Sequence, residues 1–166
     1  MRFDPKPFVP WIRAAAPYIH ALRGKTIVIA FGGEVVADET FLGVVHDLNL
    51  LHSLGTRLVV VMGHSQCGAI TATLEELAGQ ATSQSRNLRS IVDRVRPSVE
   101  SVIAVGGQLD PATLIHEAVR ANVRASANHL RHGSEILERL IRDGGLQVVG
   151  AEYSLETGTV DFFDGV

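Results

Sequence analysis

Two side chains that could hold a metal ion lie three positions apart in the middle of the chain. His64 and Cys67 form the pattern His-x-x-Cys, and Cys67 is the only cysteine among the 166 residues. A borderline-soft ion such as zinc accepts imidazole and thiolate together, and a helix amino terminus favours the thiolate form of cysteine. The pattern is also compatible with a buried structural cysteine beside a loop histidine, and the spacing alone favours this second interpretation.

The pair lies between a predicted strand and a predicted helix. Residues 58–62 are an unbroken apolar run, Leu-Val-Val-Val-Met, which predicts a strand buried on both faces as in a parallel sheet. Gly63 ends the run, and a helix is expected from about Gly68 to Leu77. Open α/β sheets bind their ligands at the carboxyl ends of the strands, so this turn is where chemistry is expected.

Two other kinds of site compete for the same turn. The stretch from Gly63 to Cys67 is close to the Gly-x-Ser-x-Gly pattern of serine hydrolases, but Cys67 stands where the second glycine belongs. The histidines that follow Asp110, which a catalytic triad would need, lie in a predicted helix: His116, His129 and His132.

A small-anion site is the other alternative. Gly32 and Gly33 follow a predicted strand and could let the backbone approach a phosphate or carboxylate, together with the 64–68 turn that ends at Gly68. A tight turn explains the glycine pair equally well.

The remaining pattern predicts an α/β fold. Apolar, β-rich runs indicate further strands at 26–31, 146–151 and 159–163, with helical patterns between them. The order of elements predicts an open, mostly parallel sheet of about four strands. Helices would flank it in a Rossmann-like three-layer arrangement, and the strand at 159–163 is a candidate sheet edge.

Local signals mark several helix ends. Asp110 followed by Pro111 predicts the start of a long helix that ends near His132, and Ser134 predicts the start of the next one. Pro97 is expected to end a helix that begins near 87, while 98–105 is ambiguous and favours a further helix.

Composition and charge exclude several function classes. The net charge of −3 gives no electrostatic case for nucleic acid or for an anionic membrane, and no segment reaches the about 18 apolar residues that a membrane span needs. The amino-terminal residues do not resemble a signal peptide. A single cysteine fits a reducing compartment, so we expect a cytoplasmic protein.

The carboxyl-terminal part resembles β-class carbonic anhydrases. The residues that carry the resemblance are the motif Gly-His-Ser-Gln-Cys-Gly-Ala at 63–69 and the stretches 117–123, 148–153 and 155–158. Residues 8–61 instead resemble the amino-acid-kinase-like domain of N-acetylglutamate synthase, through stretches at 8–11, 17–19, 23–26, 32–34 and 50–55. The simplest explanation is an engineered or selected chimera: one composite domain with segments 1–61 and 62–166.

The resemblance implies a zinc site with part of its ligands missing. The family binds zinc through two cysteines and one histidine, and His64 and Cys67 match the histidine and the second cysteine. The first cysteine belongs to a Cys-x-Asp-x-Arg motif that this chain lacks; Phe31-Gly32-Gly33-Glu34 stands in its place. We therefore expect no robust catalysis and at most residual zinc binding. The alternative is a working anhydrase with a replacement ligand, for which Glu34 is the candidate.

The resemblance also implies self-association. Enzymes of this family dimerise through helices and sheet edges, and a truncated donor would leave apolar surface uncovered. We expect a homodimer or a higher homo-oligomer, in which paired His64 and Cys67 side chains could share one zinc ion between two chains.

Overall fold

The structure of the chain is a computed structural model that describes residues 41–79, 86–106 and 109–166, and helical positions at 13–14, 16–17 and 20–21. The latter positions fall within residues 11–22, where the sequence pattern predicts an amphipathic helix. The predicted strand at 26–31 lies outside the described residues, as do Gly32, Gly33 and Glu34. None of the described helices combines the length and the hydropathy needed to cross a membrane.

A small open sheet forms the centre of the described part. Its strands are β1 (Leu58–His64), β2 (Gln147–Tyr153) and β3 (Val160–Asp164), and they lie in that order. β1 and β2 are parallel, with a register that runs from Leu58 opposite Gln147 to His64 opposite Tyr153. β3 returns antiparallel to β2 and shifts register at Gly150 and Ala151. The predicted α/β class with an open sheet flanked by helices is confirmed.

The ranges 41–79, 86–106 and 109–166 contain helices that pack on the sheet and on one another: α1 (Phe41–Ser53), α2 (Gly68–Leu77), α3 (Arg86–Gly106), α4 (Pro111–His132) and α5 (Glu135–Gly144). The predicted caps are confirmed. Asp110 accepts hydrogen bonds from the amides of Ala112 and Thr113, and Ser134 caps α5. These side chains satisfy amide groups that the first helical turn leaves without partners.

The prediction that Pro97 ends a helix is wrong. α3 continues through Pro97 to Gly106, although proline gives up one backbone hydrogen bond and crowds the preceding turn. Burial on both sides of the proline explains the continuity, because Val92, Val95 and Val99 are at most 9% exposed. The apolar stripe therefore outweighs the local cost of the proline.

The prediction that the strand at 58–62 is buried on both faces is also wrong. Val59 and Val61 pack on the core, whereas Leu58, Val60 and Met62 are 47%, 41% and 57% exposed. Neighbouring side chains of a strand point to opposite faces, and the core described here covers one of them. An unbroken apolar run does not distinguish a strand covered on one face from one covered on both.

The core has two parts that share α4. One part joins α1, α4 and α5 to the sheet and contains Val45, Leu48, Ala127, Leu130, Leu137, Leu146 and Val148. The other lies between α2, α3 and α4 and contains Ile70, Val95, Val99, Ala118 and Val119. α4 therefore connects the sheet to the helix that follows the His64–Cys67 turn.

Candidate functional site

The structure places His64 and Cys67 at the two ends of one tight turn. His64 is the last residue of β1. Cys67 is the residue before α2 and has an extended backbone, with φ −65° and ψ 113°. The pair thus lies at the carboxyl end of a parallel strand and the amino end of a helix, where open α/β sheets bind ligands.

A close approach of α4 sets the position of the strand end. A Cβ atom at Gly63 would lie 2.8 Å from Cγ2 of Val123 and 2.9 Å from Cγ1 of Val119. Only glycine leaves room for the helix at this distance. The backbone of β1 just before His64 therefore packs directly against α4.

The hydrogen bond of His64 determines which ring nitrogen can act. Nδ1 lies 2.8 Å from the carbonyl oxygen of Ser65. Because a carbonyl oxygen can only accept, Nδ1 carries the proton of the neutral imidazole, and in that form Nε2 keeps its lone pair. The imidazole is exposed to solvent, so Nε2 is the nitrogen that a metal ion would meet.

Cys67 has the environment of a half-buried structural residue. Its side chain packs against the cluster formed by α2, α3 and α4, and its carbonyl oxygen accepts the amide of Thr71 at 3.0 Å. It makes no side-chain capping bond to α2. Its sulfur has no polar partner among the described residues.

The described residues do not complete a zinc site. Throughout 41–79, 86–106 and 109–166, no group of three histidine, cysteine, aspartate or glutamate side chains could hold a metal ion. His64 and Cys67 therefore provide two ligands at most, whereas catalytic zinc sites use three protein ligands and a water molecule. Glu34, the predicted third ligand, lies outside the described residues.

The structure bears differently on the two alternatives for this turn, a serine hydrolase and a small-anion site. Ser65 donates its hydroxyl proton to Glu156, so it has no proton to give to a histidine, and the serine hydrolase pattern is not assembled. Gly68 is the exposed first residue of α2, as an anion site would need. The other half of that predicted site, Gly32 and Gly33, lies outside the described residues.

Sequence reasoning missed a carboxylate that holds the turn. Glu156, in the loop after β2, accepts the Ser65 hydroxyl at 2.7 Å, the Gln66 side-chain amide at 2.6 Å and the Ser154 hydroxyl at 3.0 Å. The hydroxyl of Ser65, together with the backbone amide of Glu156 itself and the other two donors, lowers the pKa of Glu156 to about 2. The carboxylate is therefore ionised at neutral pH. Glu156 entered the sequence interpretation only as part of the motif at 155–158.

A polar pocket of about 290 Å³ opens beside this carboxylate. Its lining consists of Ser65, His116, Arg120, Glu152, Ser154, Glu156, Thr159 and Asp161. Glu152 is the buried member, and its Oε2 lies 2.9 Å from Nε of Arg120 and 3.1 Å from Nε2 of His116. Arg120 also pairs with Asp161 and lies over the ring of Phe163. Arg120 thus pairs with two of the three carboxylates of the pocket, and Glu156 is held by hydroxyl and amide donors instead.

Comparison with protein families gives one match that covers most of the chain. The family model described as carbonic anhydrase matches residues 14–160. The chain belongs to the carbonic anhydrase family. The match begins well before residue 61, so it includes most of the segment that the sequence assigned to an acetyltransferase-like origin.

Solved carbonic anhydrases share the fold at low sequence identity. A β-carbonic anhydrase from Coccomyxa, in complex with acetazolamide, aligns with a TM-score of 0.66 at 18% identity, over 98% of this chain and 87% of that one. The enzyme CafA of Aspergillus fumigatus aligns with a TM-score of 0.64 at 21% identity, over 79% of this chain and 59% of that one. A chain from the crystal structures of two tetrameric β-carbonic anhydrases of Sordaria macrospora aligns with a TM-score of 0.62 at 17% identity, over 76% of this chain and 60% of that one.

Curated relatives of the chain are amino-acid acetyltransferases. The protein of Ectopseudomonas mendocina is 37% identical over 157 residues, which are 93% of this chain and 34% of that protein. The protein of Photorhabdus laumondii is 56% identical over 55 residues, which are 33% and 12% of the two chains. The chain therefore spans about a third or less of these relatives, and likenesses to both predicted families are confirmed.

Proposed function

We propose that this chain is a carbonic-anhydrase-like domain without robust carbon dioxide hydration, because its own residues give zinc an incomplete set of ligands. One observation carries the proposal. The whole chain contains a single cysteine, so the two-cysteine, one-histidine set that the family resemblance implies cannot form within it. The absence of a three-ligand group among the described residues supports the same conclusion.

Residual metal binding at the turn is part of this proposal. Nε2 of His64 and the Cys67 thiolate are nitrogen and sulfur ligands of the kinds that zinc accepts. Two ligands hold zinc more weakly than three, and their affinity depends on pH because the thiol must lose its proton. Zinc is therefore expected to exchange readily with the buffer.

Zinc content and hydration rate together test the proposal. After loading with zinc and dialysis, elemental analysis is expected to find less than one zinc per chain. Stopped-flow hydration of carbon dioxide is expected to match the buffer background. The informative variants are Cys67→Ser and His64→Ala, each of which should lower the zinc content further. His132→Ala, which changes an exposed helical histidine, is the matched control and should leave the zinc content unchanged.

A hydration rate well above background that disappears in Cys67→Ser would overturn the proposal. It would support the second candidate, a zinc-dependent carbonic anhydrase with a replacement ligand, which the family match favours. Glu34→Gln then separates the sources of the third ligand. Loss of zinc in this variant would assign the position to Glu34, and retention would assign it to a second copy of the chain or to solvent.

We also propose that segments 1–61 and 62–166 form one composite domain. The higher identity of the short acetyltransferase matches, 54–56% over 55 or 56 residues, supports a distinct origin for part of the chain. A single cooperative unfolding transition, coincident by fluorescence and circular dichroism, is expected for one domain. Two separate transitions would contradict it.

We also propose that the chain self-associates and that it is cytoplasmic. Family members described as tetrameric and the exposed Leu58, Val60, Met62 and Phe162 support a homodimer or a larger homo-oligomer. Light scattering should then give at least twice the chain mass of 17.9 kDa, and a monomer mass would refute it.

The lone free cysteine supports a cytoplasmic location, which cell fractionation tests.

A further inference from the structure

The turn between His64 and Cys67 has a backbone conformation that its sequence does not favour. Gln66 has a φ of +56°, and it is the only residue other than glycine with a positive φ in the described part of the chain. A side chain with a Cβ atom is strained in this left-handed region. Such strain persists only where surrounding contacts hold the residue in place.

Contacts to one loop supply this restraint. The side-chain amide of Gln66 donates to Oε1 of Glu156 at 2.6 Å, and the hydroxyl of Ser65 donates to Oε2 of Glu156 at 2.7 Å. The hydroxyl of Ser65 in turn accepts the amide of Leu155 at 2.9 Å, and the amide of Ser65 donates to the carbonyl of Tyr153 at 2.9 Å. Both central residues of the turn are therefore tied to the loop after β2.

We propose that Glu156 is a positioning residue that holds the 64–67 turn in its left-handed form and so fixes His64 and Cys67 relative to each other. Each oxygen of its carboxylate is bound by a different residue of the turn, so the contact restrains rotation as well as distance. Ser154 donates to the same carboxylate at 3.0 Å and holds Glu156 in place. This positioning role concerns the conformation of the turn and does not require a metal. Any effect of Glu156 on zinc affinity rests on the proposed function.

Removal of the carboxylate releases the turn in a defined direction. Without Glu156, Gln66 relaxes towards a negative φ, which displaces the residues on either side of it. The amide hydrogen bonds of Ser65 to Tyr153 and of Leu155 to the Ser65 hydroxyl then open more often, so both amides exchange faster with solvent. The half-buried thiol of Cys67 becomes accessible. Glycine at position 66 adopts a positive φ without strain, so it should keep the turn in place even when the carboxylate is absent.

The experiment compares Glu156→Ala with the same change combined with Gln66→Gly. Glu75→Ala, at an exposed glutamate of α2, is the matched control. The readouts are amide hydrogen exchange at Ser65 and Leu155, followed by NMR, and the rate of Cys67 alkylation by iodoacetamide at fixed pH without metal. Glu156→Ala is expected to raise both rates about tenfold, as release of a strained left-handed residue implies.

The combined variant is expected to return both rates to near those of the wild type, and Glu75→Ala to leave them unchanged. Wild-type rates in Glu156→Ala would overturn the proposal, and so would increased rates that Gln66→Gly fails to reduce. The two proposals fail separately. Absence of zinc binding in the wild type would remove the proposed metal site while leaving these metal-free rates, and the positioning role, intact.

Discussion

Replacement of Gly63 by alanine is the most direct test of how the core positions the candidate site. The new Cβ would lie 2.8 and 2.9 Å from two valine methyl groups of α4, those of Val123 and Val119. Ordinary contacts between such atoms are 3.4–4 Å. Valine side chains are short and stiff at χ1, so they cannot swing away, and the strand and the helix must separate.

The size of the effect follows from this overlap. Forcing an extra methyl group into a packed core costs about 1–3 kcal/mol, and we expect Gly63→Ala to lower the free energy of unfolding by that amount. Gly43→Ala is the matched control, because nothing lies within 4 Å of its Cβ position in the first turn of α1. There alanine should stabilise the protein, by up to about 1 kcal/mol, through its better helix propensity.

Urea unfolding of the two variants and the wild type provides the measurement. The two glycine-to-alanine changes are expected to have opposite signs. A Gly63→Ala protein within about 0.5 kcal/mol of the wild type would refute the packing argument, and so would equal effects of the two changes. Because β1 ends at His64, a displaced strand should also shift the NMR signals of the His64 ring.

Two further predictions concern the carboxylates beside the turn. The hydroxyl of Ser65 and the other donors lower the pKa of Glu156 to about 2 from an unperturbed 4.5; its hydrogen bonds therefore contribute stability above pH 4.5 that is lost as the pH falls towards 2. The difference in unfolding free energy between the wild type and Glu156→Gln should be largest near pH 7 and shrink as the pH falls from 4.5 through 2, and a pH-independent difference would contradict this. Glu152→Ala removes a buried partner of Arg120 and should lower the free energy of unfolding by about 1–3 kcal/mol. Glu117→Ala, at a more exposed glutamate, is the control and should change it by no more than about 0.5 kcal/mol. Equal effects of the two changes would show that the burial of Glu152 contributes nothing.

Much of the local structure could be predicted because its causes are local. Asp110 and Ser134 cap helices with side chains that bond amides two or three residues away, and Gly145 ends α5 with a φ of 70°. Each of these features depends on a few consecutive residues. The placement of His64 and Cys67 between a strand and a helix followed from the same kind of pattern.

The failures occurred where distant residues outweigh a local preference. Pro97 remains inside α3 because the valines on either side of it are buried by α2 and α4. The two faces of β1 differ because the described core covers only one of them. Neither packing partner is adjacent in sequence, so neither could be inferred from the run of residues itself.

The sequence by itself determined which zinc-binding side chains are available to the candidate site. One cysteine in the whole chain limits the zinc ligands, and this limit does not depend on the fold. The tertiary structure alone decided how the turn that carries this cysteine is held. Glu156 lies 91 positions from Ser65 and Val123 lies 60 positions from Gly63 in the printed sequence. Contacts over such separations leave no periodic or local pattern, because they form only when the sheet brings the ends of β1 and β2 together and α4 packs against β1.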